Sequence, residues 1–168
     1  MPFTFYRQLN QMDCGPTCLR MIAKHYGKHY NADTLRQIAG FSKHGVSMLG
    51  ISETAEKIGF RTRGVQINFE KLLLAPLPAV LHWNQQHFVV LTHLSKRTAT
   101  IADPARGIIS YKKKVGIQFW LSNEAEEIGQ VGTTLLLEPA PDFYKSEGEK
   151  TAQCLSRNCS LTETDYGS

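Results

Sequence analysis

The chain has 168 residues, of which 42% are hydrophobic and 20% charged, with a formal net charge of +4. That length suits one domain with a self-sufficient core, and the balance is that of a soluble globular protein. The charge is mild and dispersed. Its single basic run, Lys112-Lys113-Lys114, reads as a solvated loop or strand end, and no basic patch interleaved with aromatics suggests nucleic acid.

The segment Met1 to Arg7 lacks the apolar core of a secretory signal. The longest apolar stretch, Leu72 to Trp83, is interrupted by Pro76, Pro78 and His82 and is too short to span a membrane as a helix. Four cysteines without a signal imply reduced thiols in a cytosolic setting. The pairs Cys14/Cys18 and Cys154/Cys159 have spacings that do not suit zinc, and neither metal nor cofactor is expected.

In chain order, the first predicted helix runs from Cys14 to Tyr26 and stops at Gly27. Pro16 suits its first turn, because the missing N–H would have no intrahelical partner there. Leu19, Ile22, Ala23 and Tyr26 form the apolar stripe. A second, short helix is expected over 31–39, closed by Gly40, and a third is capped by Ser47 and stopped by Gly59. A strand over 60–67 and a short helix over 68–74 follow. From Pro78 the runs 79–83, 88–93, 98–102, 108–111 and 133–138 have β character, with a helix over 115–121. Helices followed by an antiparallel sheet make an α+β fold. The expected domain spans residues 1–144. From about Pro139 the composition becomes that of a linker, and 145–168 is a tail poor in apolar residues.

The chemistry is concentrated at three points. Cys14 stands at a helix mouth, where the positive end of the helix dipole favours thiolate, the nucleophilic form. His87 opens one β run and Asp103 ends another, ahead of Pro104. A hairpin centred near Ser95 would set His87 and Asp103 directly opposite, within reach of a carboxylate–imidazole hydrogen bond. Nucleophile, base and orienting carboxylate together constitute a catalytic triad. His82 is the rival base, but no carboxylate occupies an obvious facing position. Cys18, one turn after Cys14, reads as a core residue. An oxyanion would need a donor besides the Cys14 N–H, and local geometry leaves both Gln8 and Gln11 open for it.

The pattern Gln8-x-x-x-x-Met12-Asp13-Cys14-Gly15, then His87-Phe88-Val89-Val90, then Ile101-Ala102-Asp103-Pro104 with Gly107, resembles the double-glycine leader peptidases that process bacteriocins. These are papain-like cysteine peptidases at the N-terminus of peptidase-containing ABC transporters. The likeness runs from about Phe5 to Phe143. It implies a papain-like fold, cleavage of precursor peptides after Gly-Gly, and partnership with the membrane and ATP-binding domains of a transporter at the cytoplasmic face of the membrane. It also implies Cys14 as nucleophile, His87 as base, Asp103 as its orienter and Gln8, rather than Gln11, in the oxyanion hole. Two other functions compete with it: a docking module that holds leaders without cutting, and a papain-fold acyltransferase or isopeptidase.

Overall fold

A computed structural model describes residues 3–39, 46–127 and 129–145. The expected tail after Lys145 lies outside the described residues, as do Gly40, His44, Cys154 and Cys159.

Helix α1 covers Cys14–His25 and is preceded by a 3-10 turn over Gln11–Asp13, which Asn10 caps by accepting the Met12 N–H. Helix α2 covers Ala32–Ala39, and α3 covers Met48–Lys57 behind the Ser47 cap, whose Oγ accepts the Gly50 N–H at 3.1 Å. Strand β1, Phe60–Ile67, matches its expected bounds. Helix α4, Phe69–Leu73, starts behind Asn68, whose side chain accepts from Lys71 at 2.9 Å. The β half follows as β2 (Ala79–Trp83), β3 (His87–Leu94), β4 (Thr98–Asp103) and β5 (Gly107–Lys112). Helix α5 is Lys113–Trp120, β6 is Leu121–Ala125, β7 is Gly129–Pro139 and α6 is Pro141–Lys145.

The strands form one antiparallel sheet in the order β1-β7-β2-β3-β4-β5, with β6 paired to β7. Alternation along the strands divides the core in two. Val80, Phe88, Val90, Ala102, Leu135 and Leu137 pack with α1, α2, α3 and α6. Leu81, Trp83, Val89, Leu91 and Ile101 pack with Leu72 of α4 and Trp120 of α5. A strand buried on both faces loses the polar alternation of a half-exposed one, which explains the near-continuous apolar run of β3.

Three sequence expectations change. The linker expected from Pro139 instead begins with helix α6, and its Phe143 is fully buried against Phe60, with ring centroids 4.5 Å apart. A single large apolar side chain in polar surroundings is enough to dock this turn. Gly59, at φ +106°, makes room for it: a Cβ there would lie 2.4 Å from the Phe143 backbone. The second change is β6, which sequence patterning did not suggest.

The third concerns the β3–β4 hairpin. Its turn closes through the Ser95 N–H to the Thr98 carbonyl, so it is centred between Lys96 and Arg97 rather than near Ser95. A bulge falls between Leu91 and His93, where Thr92 Oγ1 donates to the Thr100 carbonyl. The ladder then pairs Leu91 with Ile101 and Val90 with Ala102. Continuing that register sets Asp103 across from Val89, so His87 and Asp103 are diagonal neighbours and not directly opposed. Their side chains still share one face, because two residues along a strand restore its phase.

Candidate active site

The 3-10 turn delivers the chain into α1 at Cys14, which is 8% exposed. The first N–H groups of a helix have no intrahelical acceptors and point out of its mouth. Asp13, in the N-cap position, makes no side-chain cap to that helix. One turn on, Cys18 is fully buried and its thiol donates to the Phe88 carbonyl at 3.3 Å. That bond ties α1 to the residue next to His87. Burial pushes the Cys18 thiol pKa well up, with Cys14 and Asp103 adding to it, so it stays a protonated core residue.

His87, at the start of β3, donates from Nε2 to Asp103 Oδ1 at 2.7 Å, which leaves Nδ1 for Cys14. Cys14 lies near enough to His87 to help raise its pKa. Burial alone would lower the His87 pKa. Hydrogen bonds to Asp103 and Cys14, with their negative charge, overcome it and raise the value to about 9. The Asp103 carboxyl is pushed up by burial but held below its ordinary range by His87, by the Ala105 N–H at 2.9 Å and by Arg106. The structure therefore brings Cys14, His87 and Asp103 into one chain of contacts.

The N-terminal segment is laced to the same corner. Gln8 donates its backbone N–H to the Pro104 carbonyl at 2.9 Å, and Arg7 reaches the Ala105 carbonyl at 3.0 Å. The Gln8 side chain is part-buried, and its Oε1 is enclosed with no hydrogen-bond partner. Its amide is thus not consumed by the fold. Gln11, in the 3-10 turn, is exposed. His82 pairs in register with Phe88, stacks on its ring at 5.1 Å and has its pKa lowered by burial. It is a residue of the sheet face, as its sequence position suggested.

Sequence reasoning gave no role to Asp13, which is buried and precedes Cys14 in the chain. Arg36 of α2 forms a two-pronged pair with it: Nε donates to Oδ1 at 2.8 Å and the second prong reaches Oδ2. The Asp-Cys adjacency was a signal, but its cation lies on another helix. Among the described residues no group of three or more His, Cys, Asp or Glu side chains is arranged to hold a metal ion.

Comparison with known proteins accords with this geometry. Residues 3–120 match the model of the peptidase C39 family. The chain belongs to that family of cysteine peptidases. The colicin V secretion/processing ATP-binding protein CvaB of Escherichia coli is 37% identical over 101 residues, covering 60% of this chain and 14% of that protein. The transport/processing ATP-binding protein ComA of Streptococcus pneumoniae is 33% identical over 149 residues, covering 85% of this chain and 20% of that protein. The chain thus spans a fifth or less of these curated relatives.

Two solved C39-type structures share its architecture. One is a double glycine motif protease from an AMS/PCAT transporter in complex with the leader peptide. It has a TM-score of 0.71 and 26% identity, covering 82% of this chain and 91% of that one. The other is the peptidase domain of Streptococcus ComA, with a TM-score of 0.69 and 26% identity, covering 82% and 99%. The α+β arrangement of this chain is the papain-like fold of those peptidase domains.

Proposed function

We propose that this C39 domain cleaves precursor peptides on the C-terminal side of a Gly-Gly pair, with Cys14 as nucleophile, His87 as acid and base, and Asp103 orienting His87. The observation that carries the reading is a single imidazole joining the buried Asp103 carboxylate to a cysteine at a helix mouth. The Cys14 thiolate attacks the carbonyl carbon of the second glycine. The resulting oxyanion is met by first-turn N–H groups of α1 and the Gln8 amide. His87 then protonates the leaving amine, and a thioester remains on Cys14. Water, deprotonated by His87, hydrolyses the thioester and returns the thiolate.

Glycines before the scissile bond thread a slot too narrow for a side chain. Such a slot supplies little affinity, so a leader helix bound elsewhere on the surface contributes it. The names of CvaB and ComA support a further reading, in which the domain works beside the membrane and ATP-binding parts of an exporter at the cytoplasmic face. Among the described residues no helix is long and apolar enough to cross a membrane, so such parts would lie on other segments or chains.

Mass spectrometry of a Gly-Gly leader peptide incubated with the chain tests the proposal. Cleavage after the pair, lost by several orders of magnitude in Cys14→Ala, is expected. An intact peptide would make the chain a docking module. A product joined to an added amine would make it a transferase.

A further inference from the structure

Asp13 occupies the position from which an aspartate ordinarily caps a helix by accepting first-turn N–H bonds. Here it makes no such bond, although its carboxylate is 1% exposed and adjoins Cys14 in sequence. Both its oxygens are taken by Arg36, whose third contact is Asp33, one turn earlier on α2. Asp33 thereby fixes the guanidinium in the fork orientation that a carboxylate accepts best.

We infer that Arg36 is a positioning residue for the nucleophile: by holding both oxygens of Asp13 it keeps that carboxylate off the first turn of α1 and cancels its charge beside Cys14. A carboxylate released at this place would do two kinds of damage. Its oxygens could accept the Gly15 N–H, the capping donor that Pro16 leaves, and so crowd the helix mouth where the oxyanion is met. Its negative charge would oppose both the thiolate and the tetrahedral oxyanion in a poorly solvated setting. The charged groups that face this corner include His87 from β3, Asp103 from β4 and Arg106 after it, with the Asp13–Arg36 pair adjoining Cys14 in the chain and the neutral Cys18 thiol along α1. Removing Arg36 switches the Asp13–Arg36 pair from a neutral to an anionic sum without touching the triad. The inference rests on the reading of Cys14 as nucleophile.

Steady-state cleavage of a Gly-Gly leader peptide, with thermal unfolding of each variant, tests it. Arg36→Met keeps the aliphatic stem and removes the fork. It should lower kcat by about tenfold or more, within the range shown by coupled neighbours, with KM unchanged. Asp13→Asn/Arg36→Met lacks the ion pair as well, but also lacks the stray carboxylate. It should recover most of kcat even if its unfolding temperature stays as low as that of Arg36→Met. Asp13→Asn alone should lose less activity than Arg36→Met, which keeps the test alive if Arg36→Met folds poorly. Unchanged kcat in folded Arg36→Met would overturn the inference. So would a double variant as slow as the single one, or Asp13→Asn losing as much as Arg36→Met. If instead Cys14→Ala still cleaves, the nucleophile reading itself has failed.

Discussion

His87 is subject to two opposed influences. Burial disfavours its charged form, whereas Asp103 and Cys14 favour it, and the second influence prevails, with Asp103 bonded directly to the ring. Asp103→Asn keeps the shape of the partner but withdraws its charge. In an NMR titration the His87 ring of the native chain should change charge near pH 9, and that of Asp103→Asn at clearly lower pH. An identical midpoint in both proteins would remove Asp103 from the orienting role. Gln8 is probed separately. Its amide oxygen is enclosed without a hydrogen-bond partner, so that atom is not used by the fold. Gln8→Ala should reduce kcat by roughly 10²–10³ with little change in KM, as the loss of one oxyanion donor does. Gln11→Ala, on the exposed 3-10 turn, should leave kcat near native. Cys18→Ala removes only the thiol bond to Phe88 and should retain most activity.

At the scale of elements, the site depends on how β3 and β4 are offset. Without the Thr92 bulge the ladder would set Asp103 across from Val90, out of phase with His87. The bulge shifts the register by one residue and makes His87 and Asp103 diagonal neighbours on one face, within reach of a long side chain. A bulge re-aims side chains along a strand, and here it lies between the two residues in the chain, after His87 on β3. Helix α6 shows the same economy at the other edge of the molecule. It is a five-residue helix whose Phe143 sits under Tyr26, Phe60 and the glycine at position 59. Phe143→Ala should cost about 3–5 kcal/mol in urea denaturation, the usual range for truncating a buried aromatic. Because α6 contributes no side chain to the His87–Asp103 corner, cleavage by the folded fraction should persist. A loss below about 1 kcal/mol would mean that this turn is not part of the core.

For the molecule as a whole, the His87–Asp103 pair links stability to pH. Its histidine is raised from 6.5 to about 9 on folding, so its contribution is complete below pH 6.5 and disappears as pH rises through about 9. The Asp103 pKa is lowered from 3.8, so its contribution is complete above 3.8 and is lost as pH falls through the depressed folded value. Both act together between pH 3.8 and 6.5. The stability difference between the native chain and Asp103→Asn should therefore be widest in that window. Denaturant midpoints measured from pH 3 to 10 should show it narrowing at both ends. A difference that grew above pH 9 would contradict the assignment.

The sequence by itself determined the elements whose signals are local. Ser47 and Asn68 cap helices because a short polar side chain reaches its own first turn. Gly27 and Gly59 stop helices at positive φ because they lack a Cβ. The cysteine at a helix mouth, and the histidine and aspartate at strand ends, were legible for the same reason: each is defined by residues next to it. What the tertiary structure decided involves partners distant along the chain. The true offset of His87 from Asp103 depended on a bulge that no neighbouring residue announces. The place of Gln8 at this corner depends on a backbone bond to Pro104, distant along the chain. Arg36 found Asp13 across two helices, and Phe143 found Phe60 across most of the chain. Propensity and capping act over a single turn, whereas burial and charge pairing are settled only when the elements meet, so Cys14, His87 and Asp103 could be named as candidates in advance and their geometry could not.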